Sequence, residues 1–279
     1  MNPAELEISS AQRASWNKFS PGWRKWDELV MSFLAPQLER MLHHLQPRGA
    51  QVVLDIAGGT GEPGLSIARR LQGGRVVLTD LADGMLRVAR EKVAAARLDN
   101  IDVQEANACE LHFADESFDL VSCRLGFMFF PDMQLAASEM ARVLKPGGRL
   151  ATTVWDGPEQ NPWITCMVQA IGKFLDVPKP PPGAPGMFRC AQPGLIAGLF
   201  AAAGLRDVTE EVVPGKLRVG SAERYWEMVT EISAPFVAAL EKADAATVAK
   251  IKAEVLQTMG ARFPDGAIDS CARVIAARK

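Results

Sequence analysis

The chain has 279 residues with 31 basic and 33 acidic side chains, a formal net charge of −2 that argues against nucleic acid as its main partner. No apolar run approaches the ~18 residues needed to span a bilayer, and the polar stretch Met1–Ser20 does not read as a signal peptide. The scattered cysteines Cys109, Cys123, Cys166, Cys190 and Cys271 form no C-x-x-C pair, so they point to reduced thiols in a cytoplasmic protein and to neither a disulfide frame nor a metal site.

Residues 3 to 46 carry a helical pattern. Trp16, Phe19, Trp23 and Trp26 recur at spacings of three and four, and Leu29, Val30, Phe33, Leu34, Leu38 and Leu42 continue the apolar face. Ser20-Pro21-Gly22 predicts a break into two helices. A first strand covers Gln51 to Ile56, and a helix from Pro63 to Leu71 ends at Gly73-Gly74. Arg75 to Asp80 is a second strand, Met85 to Arg97 a helix, and Ile101 to Glu105 a third strand. Phe118 to Cys123 gives a fourth strand. The helix Ala136–Leu144 is halted by Lys145-Pro146-Gly147-Gly148, and Arg149 to Trp155 makes a fifth strand. Strands alternating with helices at this pace mean βαβ units and a parallel sheet, with ligand at the carboxyl ends of the first strands.

Beyond Trp155 the rhythm breaks. The proline-rich run Val177–Gly186 predicts an exposed connector. Pro193 to Ala203 reads as a helix, Leu205 to Val213 as an edge strand, 221 to 260 as helical, and Ala272 to Ala277 as a last strand.

The segment Val52-Val53-Leu54-Asp55-Ile56-Ala57-Gly58-Gly59-Thr60-Gly61 is the most informative in the chain. An apolar strand ends in an acid, a glycine turn follows, and a helix begins, which is a nucleotide-binding crossover. Gly59 to Gly64 also spells G-x-G-x-x-G, so the turn alone does not name the nucleotide. Asp80, closing the second strand, lies where a carboxylate accepts both hydroxyls of a ribose, a geometry common to NAD and S-adenosylmethionine sites. Asp55 separates the two ligands: it suits an ammonium or sulfonium near the turn and repels a pyrophosphate.

On these residues the chain resembles a class I S-adenosylmethionine-dependent methyltransferase, and more closely the ubiquinone/menaquinone-biosynthesis type and its small-molecule relatives. Asp55 to Gly61 resembles the first motif of that family, with Ala57 at a small-residue position. Leu78-Thr79-Asp80-Leu81-Ala82-Asp83-Gly84-Met85-Leu86 resembles its ribose segment, whose methionine packs near the adenine. Asn107-Ala108, with Leu111-His112-Phe113 and Ser117-Phe118-Asp119, resembles the adenine segment, and Glu139 to Gly148 the helix and turn before strand five. Two positions depart: Asn107 stands where Asp is common, and His112 where Pro is frequent. An Asn keeps an amide oxygen for the adenine amino group.

The resemblance implies an α/β fold, a Rossmann-like seven-stranded, mostly parallel sheet with the last strand antiparallel. It divides the chain into a helical N-terminal lid (1–48), a cofactor-binding core (49–156), and the remainder of the sheet with an inserted helical lid (157–279). It implies S-adenosyl-L-methionine as cofactor, with Asp55, Gly58, Gly59, Gly61, Asp80, Leu81, Met85, Asn107, Ala108 and Cys123 around it. The expected partner is a small-molecule substrate, with a homodimer left open.

No His-Asp or Lys-Asp pair stands out as a base, so the catalytic residue is unassigned and proximity carries the reaction. Trp16, Trp23 and Trp26 could form a lid, with plain helix packing expected for two of the three. Arg124 is expected to face the pocket. Phe33, Met128, Phe129, Phe130, Trp163, Met167, Phe188, Trp226 and Met228 suggest an apolar lid and a hydrophobic or aromatic acceptor. Two alternatives stay open: an NAD(P)-dependent oxidoreductase, and a non-catalytic S-adenosylmethionine-binding protein.

Overall fold

Seven strands form one sheet: β1 (Val52–Ile56), β2 (Arg75–Asp80), β3 (Ile101–Glu105), β4 (Phe118–Arg124), β5 (Leu144–Trp155), β6 (Arg206–Arg218) and β7 (Ala267–Arg278). In the computed structural model, which describes residues 1–176, 181 and 183–279, they pair in the order β3-β2-β1-β4-β5-β7-β6. β1 to β5 pair in parallel, and β7 alone runs against both its neighbours. The expected α/β sheet with an antiparallel last strand is the one observed. Its central strands are near-continuous apolar runs because helices cover both faces.

Three helices precede the sheet: α1 (Pro3–Lys25), α2 (Asp27–Phe33) and α3 (Ala35–Leu45). The expected break at Ser20-Pro21-Gly22 does not occur, and α1 runs through it. Pro21 removes the N–H that would bond Asn17 O, but the buried Ser20 Oγ donates to that carbonyl at 3.0 Å. Gly22 is needed for close approach: a Cβ there would lie 2.0 Å from Glu231 O. The breaks fall later, at Trp26 and Leu34.

The crossover helices are α4 (Gly64–Ala68), α5 (Asp83–Ala95) and α6 (Met133–Val143). α4 is shorter than expected, with Pro63 before its first turn. α6 is capped by Asp132, whose side chain accepts Leu135 N–H at 2.9 Å. Lys145 to Gly148 ends this helix and also forms the first part of β5, where a register shift opposite β4 accommodates it. α3 packs Met41, Leu42 and Leu45 against Val53, Leu120, Ala151 and Val274 of the sheet.

The remaining helices are α7 (Pro162–Gly172), α8 (Leu195–Ala202), α9 (Ala222–Ile232), α10 (Ala234–Leu240) and α11 (Ala245–Arg262). The helical span expected over 221–260 is therefore three helices, the first capped by Ser221 and the last by Asp244. β6 is the edge strand, longer than expected. Residues 177–180 and 182, and with them much of the expected connector, lie outside the described residues.

A buried polar clamp joins the late strands to the core. Arg273 on β7 pairs with Asp156 at 2.8 Å and Glu210 at 2.9 Å. Asn161, fully buried, donates to Cys271 O at 2.9 Å and accepts Cys271 N–H at 3.0 Å. Every charge in the clamp has a partner, which burial requires.

Candidate active site

The carboxyl edge of β1, β2 and β4 brings the motif residues together. Asp55 is wholly buried beneath the glycine turn. Its Oδ2 accepts Gly64 N–H at 2.9 Å and its Oδ1 accepts Ser122 Oγ–H at 2.7 Å. Burial pushes this carboxyl up to about 7, against those two hydrogen bonds and the pull of Arg124. Asp55 thus underpins the turn from inside the protein. Gly58 packs so tightly that a Cβ would lie 2.7 Å from Leu78 Cγ and 2.9 Å from Asp55 Oδ2. Gly61, at φ +120°, has the same constraint against Leu65.

Gly59 differs from both. It is left-handed (φ +56°), and an added Cβ would meet only Met85 Cε, at 3.5 Å. Its N–H donates to Asp80 Oδ2 at 2.9 Å, while Asp80 Oδ1 accepts Ala82 N–H at 2.9 Å. Burial raises the Asp80 pKa against these backbone donors. Each Asp80 oxygen keeps lone-pair capacity for a ligand, and the residue stays part-exposed beside Leu81. Met85 is buried, its methyl end against the turn.

Asn107 sits just past β3. Its Oδ1 accepts Cys109 N–H at 3.0 Å, and its Nδ2 lies 3.3 Å from Met1 Sδ at the start of α1. Ala108 beside it is buried. The following loop is stapled by Arg142, which donates to Leu111 O, Phe113 O and Asp115 and forms a two-pronged pair with Glu139. Glu139 also accepts Leu111 N–H at 2.8 Å. The Glu139–Arg142 segment thus fixes the loop after Asn107 from across the sheet edge.

At the end of β4, Cys123 is fully buried and its carbonyl accepts Thr152 Oγ–H at 2.6 Å. Arg124 follows, part-buried, with Nη2 at 3.3 Å from Met31 Sδ. Ala57 (φ +54°) and Leu125 (φ +58°) are both left-handed without being glycine, at the ends of neighbouring strands. Paired strain of this kind persists where the surroundings over-determine the backbone, as binding sites do.

α1 lies across this edge. Asn17 Oδ1 accepts Gly84 N–H at 2.7 Å, Arg13 pairs with Glu105 at 2.6 Å, and Trp16 meets Phe129 edge-on at 5.2 Å. Trp23 and Trp26 instead clamp α9, through Ile232 O and Glu231. Two of the three tryptophans are therefore packing residues.

Sequence reasoning missed Asp27. Its carboxylate accepts Thr60 Oγ–H of the turn at 2.8 Å and pairs with Lys92 of α5 at 2.8 Å. Nothing local marks it, since the turn is 33 residues away. The apolar lid is also corrected. Phe33 stacks on Trp155 and meets Trp163 within the core, and Met128, Phe130, Met167, Trp226 and Met228 are buried, leaving Phe129 and Phe188 part-exposed. Aromatic composition does not separate a lid from a core. His112 is exposed, and His43 and His44 line a surface cavity of about 370 Å³ at the opposite, amino end of the strands.

Residues 53–148 match the family model described as "Methyltransferase domain". The chain is 40% identical over 117 residues to the ubiquinone/menaquinone biosynthesis C-methyltransferase UbiE of Klebsiella pneumoniae, covering 41% of this chain and 47% of that protein. Residues 53–148 thus carry a methyltransferase domain. The chain spans about half the length of the curated relatives it matches. The fold of YcgJ from Bacillus subtilis is shared at a TM-score of 0.58 and 21% identity, over 87% of this chain and 97% of that one. So is that of Haemonchus contortus phosphoethanolamine N-methyltransferase 2 in complex with S-adenosyl-L-methionine, at a TM-score of 0.53 and 20% identity over 87% and 52%.

The residues present fit S-adenosylmethionine. The open face of Gly59 and the spare lone pairs of Asp80 beside it offer room and an acceptor to a ligand, and Arg124 Nη1 at the end of β4 is buried without a partner. No helix among the described residues is long and apolar enough to cross a membrane.

Proposed function

We propose that this chain transfers the methyl group of S-adenosylmethionine to a small, hydrophobic or aromatic acceptor by in-line displacement. The observation that carries the reading is Asp55: a fully buried carboxylate beneath the glycine turn suits a cationic ligand and opposes a pyrophosphate. The names of its relatives, among them a demethylmenaquinone methyltransferase of Listeria monocytogenes, support an aromatic acceptor. Five unpaired cysteines support a cytoplasmic setting.

When bound, the donor supplies an electrophilic methyl carbon on a sulfonium. The chain does the rest. Asp80 receives the ribose hydroxyls, Asn107 and Ala108 read the adenine, Leu81 and Met85 pack beside it, and Gly58, Gly59 and Gly61 allow close approach at the methionine end. Cys123 closes the floor of the site at β4. Residues 1–48 act as a lid, with Trp16 and Phe129 excluding water. Residues 157–279 complete the sheet and the acceptor side. No side chain is assigned as base, and positioning supplies the catalysis.

Calorimetry with S-adenosylhomocysteine and with NADH tests the reading. S-adenosylhomocysteine is expected to bind and NADH not; the reverse pattern selects an oxidoreductase. Bound S-adenosylhomocysteine with no turnover over a broad acceptor panel selects a non-catalytic binder.

A pH dependence follows from Asp55. In the free protein its carboxyl titrates at about 7, above the 3.8 of an unfolded chain, so the folded state holds the proton more tightly. The free protein therefore loses stability from this group as pH rises from about 4 to about 7. A nearby ligand ammonium favours the ionised form, so binding below pH 7 must expel that proton. S-adenosylhomocysteine affinity is expected to rise between pH 6 and pH 8, and in Asp55→Asn to lose this component. A wild-type profile indistinguishable from that of Asp55→Asn would separate Asp55 from the ligand's charge.

A further inference from the structure

Arg124 is a charged side chain at the carboxyl edge to which the proposed scheme gives no role. It lies two residues beyond Ser122, the partner of Asp55, and is part-buried at the end of β4. Nη2 meets only the thioether of Met31, at 3.3 Å, a weak acceptor. Nη1 is buried and has no hydrogen-bond partner. Among the described residues Arg124 makes no ion pair. A guanidinium cannot relieve this by shedding its proton, so a buried, unmatched fork calls for an anion.

The place of Arg124 in the sheet says which end of the ligand that anion belongs to: β4 lies beside β1, and Arg124 closes it two residues past Ser122, the register partner of Asp55. Burial disfavours the charged guanidinium, and the carboxylates of Glu62, Asp55 and Asp27 attract it. All three ring the glycine turn: Glu62 follows Gly61, Asp55 lies beneath, and Asp27 holds Thr60. Each has other partners: Glu62 accepts Ser66 N–H and pairs with Arg69, Asp55 accepts from Gly64 and Ser122, and Asp27 is taken by Thr60 and Lys92. Arg124 therefore stands at the strand end beside the turn.

We infer that Arg124 is the counter-ion for the α-carboxylate of the methyl donor, fixing its methionine end while Asp80 fixes its ribose. This rests on the methyltransferase reading above. A planar guanidinium and a carboxylate match in geometry, and the strength of such a pair grows where water is excluded. With Asp55 under the turn and Arg124 beside it, the zwitterionic end of an amino acid meets one charge of each sign.

The test is calorimetry with three ligands: S-adenosylhomocysteine, its decarboxylated analogue, and 5′-methylthioadenosine, which lacks the amino-acid end altogether. In the wild type, removing the carboxylate is expected to cost roughly 10- to 100-fold in affinity. In Arg124→Gln, S-adenosylhomocysteine should weaken by the same factor, methylthioadenosine should be unchanged within about twofold, and decarboxylation should cost nothing further. Arg124→Lys, which keeps the charge and the packed stem, should recover part of the loss. Equal weakening of all three ligands in Arg124→Gln, or full affinity for S-adenosylhomocysteine, overturns the assignment. So does a wild type indifferent to decarboxylation, an outcome that needs no variant to fold. Retained S-adenosylhomocysteine affinity with a raised acceptor KM would move the anion to the acceptor. A wild type that binds none of the three defeats the methyltransferase reading itself.

Discussion

Asp80→Ala is expected to weaken S-adenosylhomocysteine by about 2 kcal/mol, roughly 30-fold. The carboxylate would serve a ribose with capacity left over from two backbone bonds, to Gly59 N–H and Ala82 N–H, each at 2.9 Å. Alanine removes the ribose acceptor and also leaves both N–H groups without theirs, so the turn loosens as the ligand contact goes. Asp80→Asn separates the two effects. It keeps one acceptor for the backbone and should fall between wild type and alanine. Affinity unchanged in both variants would remove Asp80 from the ligand.

Gly59→Val is expected to abolish measurable binding, a loss above about 100-fold, while the protein still folds. The fold survives because an added Cβ meets only Met85 Cε at 3.5 Å; the space in front of it is open. The cost is conformational: a β-branched residue at φ +56° carries strain of about 1–2 kcal/mol, which lowers Tm by roughly 2–8 °C in a chain of this size. A ligand lying against the turn would occupy the space the valine fills. The comparison with Gly58→Ala is informative, because there the Cβ strikes Leu78 and Asp55. That variant should unfold more readily for packing reasons alone. Normal binding in Gly59→Val, read by calorimetry beside a thermal melt, would mean that the turn does not face the cofactor.

Much of the core was legible because its determinants are local. Strands β2 and β3 carry the bounds expected from their apolar runs and flanking glycine or asparagine. The glycine turn, Asp55 and Asp80 lie within 26 residues of one another, and two parallel strands suffice to bring them to one edge. What was illegible depends on contacts between distant segments. Pro21 fails to break α1 because of a serine hydroxyl and a close approach to α9, neither visible in local propensity. Asp27 grips the turn only once α2 has been placed. The aromatic residues past β5 could line a lid or fill a core equally well by composition, and packing of α7 and α9 puts most of them in the core. The interplay of Glu139 and Arg142 was visible as a motif but not as a staple on the loop at Leu111.

The unbroken course of α1 has a mechanical consequence. At 1.5 Å per residue, its 23 residues make a rod of about 34 Å. One end stands over Asn107, the middle over Glu105, Gly84 and Phe129, and the far end is pinned to α9. A rod has no internal joint, so displacement at the Asn107 end is transmitted to Trp16. Ser20, by mending the helix at Pro21, turns two short covers into a single lever whose fulcrum is the α9 contact.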